Sequence, residues 1–496
     1  MRYEPGNETN DDVVRFCWVE PVSKRNDERE LMERKPPLVR PPIMRGPAVG
    51  RTLLVSLASL VLYAIVLRLL AESPLVKVYF RIGFGGEYGD VQSFIPVLVL
   101  VLVLWAITPQ WMAKPSALVI WMLYLVVVVP SLVLIPTMPN LDQPVRVSAL
   151  VSVTIGYVVL VLAARALDLG RVSWTGLEYG TFRLVLFGVG GCLFLLVAAS
   201  FGVGSGITSW GEMYEARAEF AFSQTGSSAI SLYSLSWLVK IISPLMIALG
   251  VTTRDWLLLA FGLGSQLLAY SISPNKLNLF IALVVIAVAL AVKHSRGRSL
   301  SLAWAAFGMT LFASIIPLLF RTPGNEFFSS TVFRTLFIPT QTAFYYYEYF
   351  STNPKGLFSE ALPILPNPYQ QPISEVIAQT YSSTTTGSFN AHLWADGSAN
   401  LGLIGVGLVS LVLAILLLTL DKIAAGKSLL IPIIVLIGPA LALTNGSLST
   451  ALLTAGLLLA FPVILLAPDG DPWMNKRGRG STRTSAIRGP ANSPLQ

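Results

Sequence analysis

Apolar runs of about twenty residues recur from Leu53 to Leu466, and no other feature limits the possible folds as tightly. A helix of that length rises about 1.5 Å per residue and spans the ~30 Å hydrocarbon core of a bilayer. Inside lipid every backbone N–H and C=O must be paired within the protein, which leaves helices or closed barrels. The runs are continuous Leu, Val and Ala rather than alternating segments, so they read as helices. Composition agrees: 54% of the 496 residues are hydrophobic and 12% charged, against about 25% charged in soluble domains. The expectation is an all-α polytopic membrane protein.

Periodicity and length give about twelve candidate spans, near 52–70, 93–108, 115–136, 147–166, 182–203, 229–250, 255–272, 277–293, 301–320, 399–420, 428–445 and 448–467. Lys and Arg gather in short cytoplasmic loops. The first fifty residues contain KRNDERELMERK together with Arg40 and Arg45, which places them inside. Under a twelve-span count the other inside segments hold Lys114, Arg165 and Arg171, Arg254, KHSRGR, DKIAAGK and NKRGRG, and each is basic. The outside segments carry Glu72, Glu87, Asp90, Asp142, Glu212, Glu215 and Glu219 instead. Residues 1–50 and 468–496 read as disordered cytoplasmic tails flanking a membrane domain at 51–467, with no cleavable leader. The net charge of +8 lies mainly in tails and short loops, as for anionic lipid and not nucleic acid. Cys17 and Cys192 lie in different settings and are not expected to pair.

Between the ninth and tenth spans lies a mostly polar stretch, 321–400, on the face assigned as external. It is the expected seat of chemistry, together with 206–228 and the SPNK turn at 273–276. Arg217, in YEARAEF, is either a fork for phosphate oxygens or a member of a salt-bridged helix. Arg334 falls in STVFRTLFIPTQTAFYYYEYF, read as an amphipathic helix on the membrane face, where a guanidinium snorkels or lines a cavity. Lys276 and Arg321 are further cations of that face. Tyr345, Tyr346, Tyr347 and Tyr349 with Glu348 suit a glycan groove or an interfacial aromatic belt. His392, in SFNAHLWADGSANLG beside Asn390 and Asp396, is either a proton acceptor or an inert loop residue; His294 reads as solvated. Lys240 falls mid-span, where a cation must face an interior. No Walker loop, nucleophile elbow, HExxH motif or metal-ligand cluster is present.

Three local texts, YEARAEF, FRTLFIPTQTAFYYYEYF followed by NPKGLF, and TGSFNAHLWADGSANLGLIGV, together with the span count and the long late loop, carry a likeness. Over about 50–467 the chain resembles the oligosaccharide repeat-unit polymerases of bacterial surface glycans, the O-antigen polymerase (Wzy-type) family. Some members carry paired Arg-x10-Gly patterns; here Gly226 follows Arg217 at a shorter spacing and Arg334 has no glycine at comparable distance. The resemblance implies a glycosyltransferase of the bacterial plasma membrane that needs no cofactor. It would transfer a growing glycan from its polyprenyl diphosphate to the next lipid-linked unit, alongside a chain-length regulator and a repeat-unit flippase. It implies Arg217, Arg334, Lys276 and Arg321 on the diphosphate, His392 or Glu348 as the base, and Tyr346, Tyr347, Asn390 and Asp396 on the glycan. An O-antigen ligase, another polyprenyl-linked transferase and a lipid-linked glycan transporter are the alternatives.

Overall fold

A computed structural model describes residues 47–77, 91–138, 142–167, 174–202, 228–273, 276–295, 300–322, 325–362, 364–382 and 387–471. Residues 1–46 and 472–496 of the tails, and Arg217, therefore lie outside the described residues, whereas 47–50 open the first helix and Asp469 pairs with Lys427 at 3.5 Å. The helices are α1 (Pro47–Glu72), α2 (Val91–Ile107), α3 (Ser116–Thr137), α4 (Gln143–Ala166), α5 (Tyr179–Phe201), α6 (Ala229–Thr253), α7 (Trp256–Ile272), α8 (Lys276–His294), α9 (Leu302–Leu319), α10 (Ile338–Thr352), α11 (Ile373–Tyr381), α12 (Leu393–Ile423), α13 (Leu430–Thr444) and α14 (Leu448–Leu466). Among the described residues α1, α3, α4, α5, α6, α9, α12 and α14 are long and apolar enough to cross a membrane. Shorter apolar helices fill the other four sequence runs, α2, α7, α8 and α13. The chain is an all-helical polytopic membrane protein.

Proline sets the irregularities. Pro130, Pro244 and Pro339 each follow a π-helical stretch, Tyr124–Val128 in α3, Leu238–Ile242 in α6 and Ser329–Phe337 before α10. A proline ring collides with the carbonyl four residues earlier, and a π turn moves the bonding register by one residue. The residue before each proline accordingly donates five residues back: Val129 to Tyr124, Ser243 to Leu238 and Ile338 to Phe333. α14 is broken at Leu453–Gly456, where Trp237 and Ser236 donate to the Leu453 and Thr454 carbonyls at 2.7 and 2.6 Å.

α3 and α13 form the centre: 89% of the most apolar window of α3 is buried inside the protein, against 17% for the peripheral α5. Around them α4 packs on α12, α1 on α9, and α6 on α7 and α8. At one end of the bundle the short connections are tied together. Met112 donates to the Leu300 carbonyl at 2.8 Å, and the Ser116 hydroxyl to the Asp421 carboxylate at 2.6 Å. Leu177 donates to the Leu466 carbonyl at 3.1 Å, and Lys427 to the Ala467 carbonyl at 2.7 Å. Arg183 pairs with Asp255 at 2.6 Å, and Lys293 reaches the Thr252 carbonyl at 2.6 Å. These are the short segments that the basic-loop count groups on one side.

The 321–400 stretch is not an open loop. Its amphipathic part is helical as expected, with Val332, Phe333, Leu336 and Phe337 buried and Arg334 exposed. α10 then buries Phe344, Tyr345, Tyr346, Tyr347 and Phe350 against α12 and α4.

Candidate functional site

The site is built on a fold-back in α12. That helix starts at Leu393, earlier than the run near 399 predicts, and leaves helical geometry at Leu401 and at Gly402, whose φ is 61°. Such a φ suits glycine and strains other residues. The Trp394 indole N–H donates to the Ser410 hydroxyl at 2.9 Å. In a straight helix those residues would stand about 24 Å apart, so the leg 393–400 lies back along the leg that follows Gly402. Glycines permit the approach: a Cβ on Gly405 would lie 2.1 Å from the Gly397 carbonyl oxygen. A Cβ on Gly156 of α4 would lie 2.3 Å from Trp394, whose ring also meets Tyr157 edge-on at 6.2 Å.

His392 starts the returning leg as its N-cap. Its Nδ1 accepts from the Trp394 and Ala395 backbone N–H groups at 3.3 Å each, so the proton of the neutral ring sits on Nε2. The side chain is fully buried, and Nε2 has no hydrogen-bond partner among the described residues. Burial pushes the imidazole down to about 3. A ring so engaged positions the leg; it presents no free lone pair to a substrate.

The leg and the preceding loop each contribute a carboxylate. Asp396 is half-buried in the first turn of the leg, where burial first, and then the charge of the exposed Glu360, raise its carboxyl. Glu360 accepts from the Ile373 N–H at the start of α11. Asn400 locks the two segments together: its Nδ2 donates to the Asp396 carbonyl at 2.9 Å and its Oδ1 accepts from Phe358 N–H at 2.6 Å. Tyr346 donates to the Phe389 carbonyl at 2.9 Å. Its phenol is pushed up by burial first, then by Asp396 and Glu360.

Aromatic rings continue from there. Tyr345 stacks on Tyr381 at 4.4 Å and on Phe389 at 5.9 Å. Tyr381 is raised by burial and by its hydrogen bond to Glu348, which is half-buried. Tyr347 is buried, and burial raises its phenol while the nearby Ser152 hydroxyl acts the other way. Neither of those hydroxyls has a hydrogen-bond partner of good geometry among the described residues.

Of the residues picked from sequence, Tyr346, Tyr347, Glu348, His392 and Asp396 therefore come together on α10 and α12, and Asn390 is exposed on the connection between α11 and α12. Arg334 is exposed on the π-helical stretch. Arg321, also exposed, donates to the Leu318 carbonyl at 2.9 Å at the end of α9 and borders an apolar groove of about 370 Å³ between α1 and α9. Lys276 heads α8, and its side chain lies outside the described residues. Lys240 is half-buried in the π turn of α6, with Gly438 of α13 against its carbonyl. Sequence reasoning missed Glu360, Asn400, Tyr381 and Ser152. Glu360 had one signal, a lone acid in the apolar text LFSEALPIL. Among the described residues no group of three or more His, Cys, Asp or Glu could hold a metal ion.

No known family model matches this chain, and neither curated proteins nor solved structures give a match.

Proposed function

We propose that the protein polymerises polyprenyl-diphosphate-linked oligosaccharide repeat units at the external face of a bacterial plasma membrane. In this reading twelve apolar helices cross the bilayer, both termini are cytoplasmic, and α10, α11 and the fold-back of α12, whose first leg re-enters beside the second, lie on the external side. The grouping of the basic connections at one end of the bundle supports that orientation. The observation that carries the reaction is the Asp396–Glu360 carboxylate pair beside the Tyr345–Tyr381–Phe389 stack. Burial first, and then the charge of Glu360, raise the Asp396 carboxyl above the usual carboxylate range, which suits a proton acceptor, and aromatic faces suit sugar rings.

The acceptor sugar hydroxyl attacks the anomeric carbon of the donor glycan. A new C–O bond forms, the anomeric C–O bond to the diphosphate breaks, and polyprenyl diphosphate leaves with the electron pair. The hydroxyl proton passes to the Asp396–Glu360 pair. His392 holds the leg that carries Asp396, and Glu348 is held by Tyr381. Arg217 and Arg334 are assigned to the leaving diphosphate, with Lys276 and Arg321 as further cations, because guanidinium groups match phosphate oxygens.

The test is purified protein in proteoliposomes with polyprenyl-diphosphate-linked repeat units and no ATP. Wild type should give a glycan ladder; Asp396→Asn, Arg217→Ala and Arg334→Ala should each lower turnover by about a hundredfold or more with protein level unchanged. Transfer to a lipid or protein acceptor without ladder formation would make the protein a ligase. Unchanged turnover in Asp396→Asn would remove the carboxylate pair from the reaction.

A further inference from the structure

We propose that Leu357, Leu362, Ile364 and Leu365 form a lipid anchor that seats in acyl chains at the membrane boundary beside the α12 fold-back. These side chains are 39%, 51%, 90% and 37% exposed, a cluster of apolar residues on a loop that soluble surfaces avoid. From Ala361 to Gln370 the chain has no charged residue.

The loop is built and held in place. Gly356 and Leu357 donate to the Ala399 and Asn400 carbonyls at 3.1 Å each, and Phe358 donates to the Asn400 side chain. Leu357 and Phe358 both have φ of 56°, a left-handed backbone that is rare for bulky side chains. The next turn is closed by Leu362 donating to the Phe358 carbonyl at 2.9 Å and Leu365 to the Leu362 carbonyl at 2.9 Å. The result is an apolar tip fixed at the fold-back.

The fold-back sets its depth. From Gly402 to Ile423, α12 runs about 33 Å, near the thickness of a hydrocarbon core, so Gly402 marks one boundary. Immediately past it Leu403, Ile404 and Leu408 are 48%, 78% and 45% exposed, the lipid-facing stripe of a spanning helix. The base of the loop is bonded to Ala399 and Asn400, the residues just before Leu401, itself 37% exposed. Lipid is the occupant that meets both surfaces at once. The anchor depends on the chain's residence in a membrane, not on the reaction proposed above.

Full-length protein lacking Cys17 and Cys192 by substitution with serine, reconstituted in phosphatidylcholine–phosphatidylglycerol vesicles, can carry a nitroxide on Leu362→Cys, Ile364→Cys or Gln370→Cys. Power-saturation spectroscopy then compares collision with oxygen, which concentrates in lipid, and with a water-soluble nickel chelate. The expected result is oxygen collision exceeding nickel collision severalfold at 362 and 364, with the order reversed at 370. Nickel access at 364 equal to that at 370 overturns the anchor. Shielding of 364 from both reagents overturns it too, because that identifies a covering protein surface, a second copy of the chain or a partner.

Discussion

His392 gives the sharpest handle, because a cap and a base respond differently to one substitution. The neutral imidazole accepts two backbone N–H groups from a fully buried position, and its affinity for a proton is pushed from the usual 6.5 to about 3. When the leg opens, His392 meets water and regains the usual value. Between those values the open state binds a proton that the closed state refuses, so closure weakens as pH falls. The slope is about 1.4 kcal/mol per pH unit, starting near pH 6.5. At pH 5.5 the leg should be about 1.4 kcal/mol easier to open than at neutral pH, and above 6.5 the contribution should be complete and flat. His392→Asn offers an amide oxygen in place of Nδ1 and does not titrate; asparagine is among the best N-caps. It should hold the leg within about 1 kcal/mol of wild type at pH 7.5 and show no acid slope. His392→Ala should lose about 1 kcal/mol of capping at every pH and a further packing contribution. Hydrogen exchange followed by mass spectrometry over 393–400, corrected with the Asn variant for intrinsic exchange, reads all three. An acid slope shared by wild type and His392→Asn would falsify the burial argument. Glycan turnover decides the chemical question: a positioning role leaves turnover within about threefold in His392→Asn, whereas a proton acceptor at this position would lose about a hundredfold or more.

Two other sites yield numbers. A methyl group on Gly405 would drive into the Gly397 carbonyl, and one on Gly156 into the Trp394 indole; Gly405→Ala and Gly156→Ala should each cost about 1–3 kcal/mol, read as a lowered unfolding temperature in detergent, while Gly407→Ala, with open space around it, should match wild type. Tyr347→Phe removes a buried hydroxyl without a hydrogen-bond partner among the described residues, so it should be neutral or stabilising by up to about 1 kcal/mol; a loss beyond about 1.5 kcal/mol in the same assay would show that the hydroxyl is satisfied.

Each apolar run became a helix because in lipid the backbone has no partner but itself, and length plus apolarity then suffices to find it. α4, expected near 147–166, runs Gln143–Ala166; α9, expected near 301–320, runs Leu302–Leu319. The amphipathic reading of STVFRTLF was equally local, since Val332, Phe333, Leu336 and Phe337 follow helical spacing and lie on the buried face. What periodicity could not convey was the reversal at Gly402. Both legs of α12 are apolar, and a fold-back leaves the period of 3.6 intact on either side of one residue. The clue was chemical: SANLGLIGVG places Gly402, Gly405 and Gly407 just after an Asn, but only contact between Gly405 and Gly397 shows that one of them is there for close approach.

The same reversal changes the surroundings that sequence order implies for His392. A histidine between Asn390 and Asp396 before an apolar run looks like an exposed acid-base group, because sequence order places it at a loop. Folding the leg back against Ser410 takes the imidazole into the protein, where its lone pair serves the backbone. Asp396, one helical turn further on, remains half-buried and linked to Glu360 across the loop. In the proposed reaction depth within the fold divides the roles: the fully buried imidazole caps the leg, and the half-buried Asp396 is the proton acceptor. That division requires the α12 reversal, so a residue at 402 that cannot adopt a φ near 61° should disturb His392 and Asp396 together, a coupling that independent loop residues would not show.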